Sequence, residues 1–357
     1  MNISARTVLT IAVAPALLLT ACGDGGSAAP QEKAGGSSTT TAAKGQPDVN
    51  GDGKVVIGVM SPGDTHDNGY YQSFVDDANG IAKTNGWEVR TLDKINPADA
   101  VNQARNLCRQ RVDLIAIAAS ELKDALTAAP EPQCKGVNWY VNGGGGVQQN
   151  EYFTQSQDTV NQSLYAAGYA AGLLLEKSGG DKAGYITGPE LDFAKQAAKA
   201  FKAGMRAVVP KAELVTTFTG DFDDSAKAKE AFEAQKAQGI KVVYPYLGGA
   251  TDAVTQQANA AGVPALTPGT DRCADTTTKY AVSVVFSPGA YFAAALEDFQ
   301  KGTLKMGTAR VWKMGVDPVP TVKICAAEGD QQARMDQVMK DMGTGKLDVD
   351  AAVDGAR

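Results

Sequence analysis

Short apolar runs alternate with amphipathic stretches from Lys54 to Thr267, and this rhythm limits the fold more than any other feature. "KVVIGVM" (54–60) is short and β-branched, which marks a buried strand. "WEVRTL", "VDLIAIA" and "GVNWYVN" continue the series, with helical patterns "SFVDDANGIAKTNG", "ADAVNQARNLCRQR" and "ELKDALTAA" between them. The second half repeats the rhythm through "KAGYITG", "AELVTTF", "IKVVYPY" and "VPALT". Its helical patterns are "SLYAAGYAAGLLLEKSG", "DFAKQAAKAFKAGMRAVV", "DSAKAKEAFEAQKAQG" and "ATDAVTQQANAAG"; in the second of these, Phe193, Ala197, Phe201 and Met205 recur at four-residue spacing. Strict alternation of β and α implies parallel sheets covered on both faces. Because the pattern occurs twice, with a join near residues 155–161, the predicted fold is α/β with two doubly wound lobes of similar size.

A length of 357 residues suits two such lobes, and 43% hydrophobic content is enough for two cores. The net charge of −6 argues against a nucleic-acid partner, which would demand a basic face. The N-terminus is set apart from the fold. Arg6 supplies a positive start and "VLTIAVAPALLL" is an apolar core too short to span a bilayer stably. "LTAC", ending at Cys22, resembles the lipobox of bacterial lipoproteins. Residues 1–21 are therefore expected to be a signal, cleaved before a lipid-bearing Cys22. The alternative is an ordinary secretory signal with a chance cysteine. Residues 22–50, rich in Gly, Ser, Thr and Ala, read as a flexible tether.

In doubly wound sheets, ligands bind beyond the carboxyl ends of the strands. Here those ends are "SPGDTHDNGYY" (61–71), Ser120 and Glu121, "NGGGG" (142–146), "GPELDF" (188–193), "GDFDD" (220–224), "LGGATD" (247–252) and "PGTD" (268–271). Tyr70 and Tyr71 follow Asp67, Asn68 and Gly69, which are N-cap types. One of the two rings is expected in the cleft, as a flat stacking surface, and the other in the core. "NGGGG" matches neither dinucleotide nor P-loop spacing, so its glycines read as a tight, flexible exit from the sheet. "DVNGDGK" (48–54) imitates a calcium loop, but Val59 stands where a bidentate Glu belongs, so it reads as a turn. The single histidine, His66, has no GxSxG or HExxH around which to build catalysis, and reads as a loop residue. An enzyme is therefore the less favoured class, and neither a metal nor a cofactor is expected.

Cys108, Cys134, Cys273 and Cys325 remain after Cys22. In an exported chain they can pair in three ways or stay free and buried. The expected pairs are Cys108–Cys134 and Cys273–Cys325, each within one neighbourhood of the fold.

The order and spacing of several segments resemble the basic membrane lipoprotein family, which includes purine-nucleoside-binding lipoproteins serving ABC transporters. "VMSPGDTHDNGYYQSF" parallels the family's "TDxGxxxDxSFNQ", and "SLYAAGYAAGLL" its "SYLAGxxAA". "FAKQAAKAFKAGMRAV" is similar to "VxxFxxGFxAGAxxV". The stretch from "GDFDDSAKAKE" to "PGTD" resembles one running from "GSFxDxAKGKE" through "AGGTG" to "DxDQ". The resemblance implies a type I periplasmic binding protein fold, two lobes joined by three hinge strands and closing over one ligand. It implies a first lobe of 54–153 plus 287–307 and a second of 154–286 plus 308–357, with Cys108–Cys134 in the first and Cys273–Cys325 in the second.

By the same resemblance, Tyr70 takes the place of the family's stacking Phe, Asp67 that of an aspartate, and Gly248 and Gly249 those of a glycine pair. Asp271 falls on an aspartate that could accept ribose hydroxyls. The departures are Tyr71 for an Asn, Ser61 and Gly269 for aspartates, Arg272 for a Gln and Phe286 for a Lys. Together with Ser120 from the strand-end reading, Ser61, Asp67, Tyr70, Tyr71, Gly248, Gly249, Asp271 and Phe286 form the expected site, more aromatic and less charged than the family's. The expected function is ligand capture for an ABC permease: a lipid-anchored monomer on the extracytoplasmic face, binding a nucleoside-like or sugar-like molecule. The alternative is an extracytoplasmic sensor or adaptor with the same fold.

Overall fold

The computed structural model describes residues 47–355. The expected signal, Cys22 and nearly all of the tether lie outside those residues. In the first part of the chain β1 (Val56–Met60), α1 (Tyr70–Asn85), β2 (Glu88–Leu92), α2 (Ala100–Arg109), β3 (Leu114–Ile117), β4 (Asn138–Asn142) and β5 (Thr154–Asp158) follow one another. Then come α3 (Val160–Ser178), β6 (Lys182–Thr187), α4 (Asp192–Val208), β7 (Glu213–Phe218), α5 (Ser225–Ala237), β8 (Val242–Tyr246), α6 (Thr251–Ala260), β9 (Leu266–Gly269) and β10 (Val282–Val285). The last elements are α7 (Pro288–Gln300), β11 (Thr308–Trp312), β12 (Thr321–Ile324), α8 (Gln331–Gly343) and α9 (Val349–Gly355).

The first lobe is built on a six-stranded parallel sheet in the order β11-β5-β4-β3-β1-β2. β1 and β3 are buried along their whole length, as the continuous apolar runs require of strands covered on both sides. One face packs on α2 through Leu107 and Ile115, the other on α1 and α7 through Phe74, Tyr140 and Phe292. The second lobe holds β7-β6-β8 and β9-β10-β12, and a parallel bridge between Val243 and Ala265 sets β8 beside β9. Among the described strands only β12 runs antiparallel, against β10.

The chain passes between lobes after β5, after β10 and after β11. These are the three hinge crossings expected, but two fall later than expected. Thr154–Asp158 and Thr308–Trp312, expected in the second lobe, pair with each other, and Thr154–Asp158 also pairs with β4 in the first sheet. A second difference concerns "ELKDALTAA", expected to be an α-helix. It is a 3-10 run, Ser120–Ala128, broken at Leu122.

Close approach needs glycine where α3 crosses α4. A Cβ on Gly168 in α3 would lie 1.9 Å from the Phe201 carbonyl oxygen of α4, and one on Gly204 in α4 1.9 Å from that of Tyr165. The two helices therefore cross with backbones in contact. Disulfides join Cys108 to Cys134 and Cys273 to Cys325, each inside one lobe.

Candidate ligand cleft

A cavity of about 380 Å³ lies between the lobes at the carboxyl ends of their strands. The first lobe contributes Tyr70 and Tyr71 from the start of α1, Ser120 and Glu121 after β3, the glycines after β4, and Gln157 and Asp158 from β5. The second contributes Phe193 and Gln196 of α4, Phe222, Tyr246, Gly248 and Pro268, with Phe286 at the crossing after β10.

Tyr70 bridges the lobes. Its ring centroid is 6.1 Å from that of Phe286, which in turn is 6.1 Å from Tyr246. Gly269, at φ +96°, runs so near that a Cβ there would lie 3.5 Å from the Tyr70 nitrogen. The Asn142 amide donates to the Tyr70 hydroxyl at 2.6 Å, which fixes the ring's direction. Burial, and then the carboxylates of Glu121 and Asp158, push the Tyr70 hydroxyl far up, so it stays protonated and keeps a hydrogen to donate. Tyr71 packs edge-on against Tyr70, with centroids 5.2 Å apart. Its ring occupies the space that Gly63 leaves: a Cβ on Gly63 would meet it at 2.2 Å. Across the cleft Phe193 and Phe222 stack, 6.4 Å apart. Burial pushes both cavity carboxyls up, Glu121 and Asp158 alike; the Ser163 hydroxyl, donating to Asp158 at 3.1 Å, works the other way.

Of the expected site residues, Tyr70, Tyr71, Ser120, Gly248 and Phe286 line the cavity together. Both tyrosines line it, where one was expected in the core. Ser61, Asp67, Gly249 and Asp271 do not line it, and each has a local reason. The Ser61 hydroxyl is buried and donates to the Gly63 carbonyl at 3.0 Å. The Asp67 carboxylate accepts from the backbone N–H groups of Gly69, Tyr71 and Gln72, and so caps α1 rather than facing a ligand. The Gly249 N–H donates to Asp223 at 2.6 Å on the surface. Asp271 accepts from the Cys273 N–H and from Lys323, each at 3.0 Å. Arg272 is engaged by Asp252 and Asp275 and also stays off the cavity.

Glu121, Phe193, Phe222 and Pro268 fall within the strand-end loops marked in the sequence, although no pattern there singles them out as ligand contacts. Gln157 and Asp158 are not legible in the sequence, because β5 itself is not. Asp64, His66 and Asp93 gather near the surface with ligand atoms within 4.8 Å, but the Lys94 ammonium already pairs with Asp64 at 2.8 Å and His66 is 87% exposed. That cluster is open to solvent, and one of its carboxylates is already paired, unlike the enclosed donor set of a metal centre.

Comparison with known proteins bears on this cleft. A family model described as ABC transporter substrate-binding protein PnrA-like matches residues 54–333. The chain is 29% identical over 139 residues to the ABC transporter nucleoside-binding protein BmpA of Lactococcus lactis, covering 39% of this chain and 38% of that one. It is 24% identical over 255 residues to the CD4+ T-cell-stimulating antigen of Listeria innocua, covering 70% of this chain and 66% of that one. These matches thus span less than two thirds of the curated relatives' lengths. A solute-binding protein of an ABC transporter system from Conexibacter woesei superposes with a TM-score of 0.64 at 23% identity, over 82% of this chain and 97% of that one. A solute-binding protein from Aeropyrum pernix gives 0.65 at 16% identity, over 85% and 90%. At such identities the superpositions establish the fold, that of a type I periplasmic binding protein. Because the family match runs through both lobes and most of the sequence, the chain belongs to the PnrA-like family of ABC transporter substrate-binding proteins.

Proposed function

We propose that this protein captures a small hydroxylated molecule, nucleoside-like or sugar-like, by closing its lobes over it and hands it to an ABC permease. The observation that carries the reading is the two-sided cavity: about 380 Å³, within the range of small-ligand sites, with aromatic faces and a few polar groups supplied by both lobes. Tyr70 and Phe286 would hold a ring, while Ser120, Gln157 and Gln196 would meet its polar edge. Lobe closure fits a ligand that contacts both walls, since only differential contact can shift an open–closed equilibrium. Nucleoside binding by BmpA of Lactococcus lactis supports the nucleoside-like class for this chain. The lipid on Cys22 would keep the lobes at the extracytoplasmic face as a monomer. Among the described residues no helix is long and apolar enough to cross a membrane, which suits an anchor at the terminus.

Thermal-shift screening of protein verified ligand-free, against nucleosides, sugars and amino acids, tests this reading. A ligand at a hundred times its Kd should stabilise the protein by about 2.7 kcal/mol, a shift of several degrees. No shift from any class would contradict it.

A further inference from the structure

The charges lining the cleft are one-sided. Glu121 and Asp158 reach it, while no Lys, Arg or His among the described residues does. Neither carboxylate forms an ion pair among the described residues. Lys123 acts on Glu121 only from a distance, and the side-chain donor to Asp158 is the neutral Ser163 hydroxyl. Arg272 is neutralised away from the cavity by Asp252 and Asp275. Both carboxylates belong to the first lobe and lie close enough to Tyr70 to act on its hydroxyl. The second lobe answers with ring faces, chiefly Tyr246 and Phe286.

Closing these walls over a neutral molecule would strand two carboxylates away from water with no counter-charge, a costly arrangement. A proton can relieve one of them at a time. A singly charged cationic group on the ligand balances one as well, while attracted by the other and by the electron-rich ring faces. Burial raises both carboxyls, as expected of acids whose counter-charge has yet to arrive.

We propose that the cleft selects a ligand bearing a positive charge, an organic ammonium or a charged heterocycle on a planar or hydroxylated body. Glu121 and Asp158 are its counter-ions, and Tyr70, Tyr246 and Phe286 the ring faces around it. The proposal rests on the binding-protein reading and names the ligand class for the same cleft.

Calorimetric titration of the full chain in detergent with probes matched in shape but not in charge tests it. N1-methyladenosine, a cation at neutral pH, is set against adenosine, and tryptamine against indole-3-propionamide. The expected result is that the charged member of at least one pair binds about tenfold tighter or more. Glu121→Gln and Asp158→Asn, both near-isosteric, should each bring that ratio down toward one. The wild-type comparison decides the matter even where a variant folds poorly. Neutral members binding as tightly as charged ones would overturn the charge proposal and leave the binding-protein reading standing. Failure of both cationic probes would overturn the proposal too, while binding of a neutral probe in the same titrations judges the reading beneath it.

Discussion

Asp67 and Glu121 are both carboxylates at the head of a helical segment, and their hydrogen bonds assign them different tasks. Asp67 accepts three backbone N–H groups and holds the turn that presents Tyr70 and Tyr71. The only backbone N–H group acting on Glu121 is its own, and the residue lines the cleft. A third acid, Asp113, is fully buried beneath the start of β1 and accepts from the N–H groups of Val49 and Val56 and from the Asn50 amide. Burial outweighs these donors and pushes its carboxyl up to about 6. The folded state therefore holds this proton more tightly than the unfolded chain, whose Asp titrates near 4. Its contribution to stability is largest below about pH 4 and declines as pH rises toward 6, by about 3 kcal/mol at most. Urea melts at pH 4 and pH 7 should show wild type losing more stability over that interval than Asp113→Asn. Equal losses in both proteins would contradict the assignment.

At the scale of elements, the crossing of α3 and α4 makes the sharpest demand. Gly168→Val would drive a side chain into the Phe201 carbonyl oxygen, a backbone atom that cannot step aside, and should cost about 3 kcal/mol or more in urea melts. Gly80, exposed within α1 with open space where a methyl would sit, is the contrast: Gly80→Ala should gain about 0.5–1 kcal/mol. Equal effects at the two positions would contradict the packing described. The strands and helices that carry apolar periodicity are legible in the sequence, because a strand buried on both faces has little choice but Val, Ile, Leu and Ala. β5 is not. Its sequence is TQSQD, and the residues buried in it are polar, held by bonds such as the Gln155 amide to the Gly143 carbonyl at 2.8 Å. Its strand character comes from neighbours on both sides, β4 and β11, the latter distant in sequence. Gln157 and Asp158 are hidden with it. The aromatic part of the site is legible for the opposite reason, since Tyr70 and Tyr71 stand in the loop that directly follows an apolar strand.

For the whole molecule, three crossings join two lobes whose strand ends face one cavity, and Tyr70 reaches from one lobe to the aromatic wall of the other. That arrangement explains why residues scattered from 70 to 286 meet in one place. The walls are set by the two sheets, and loops at the strand ends supply most of the side chains that line them. The central claim is that this cleft holds one small molecule. Native mass spectrometry of the protein purified gently from its own host tests it most directly. The account predicts a single small-molecule adduct in one-to-one ratio, retained by wild type and lost from Tyr70→Ala with the fold intact. Protein that carries no adduct, and gains none after incubation with a small-molecule extract of the host, would contradict it.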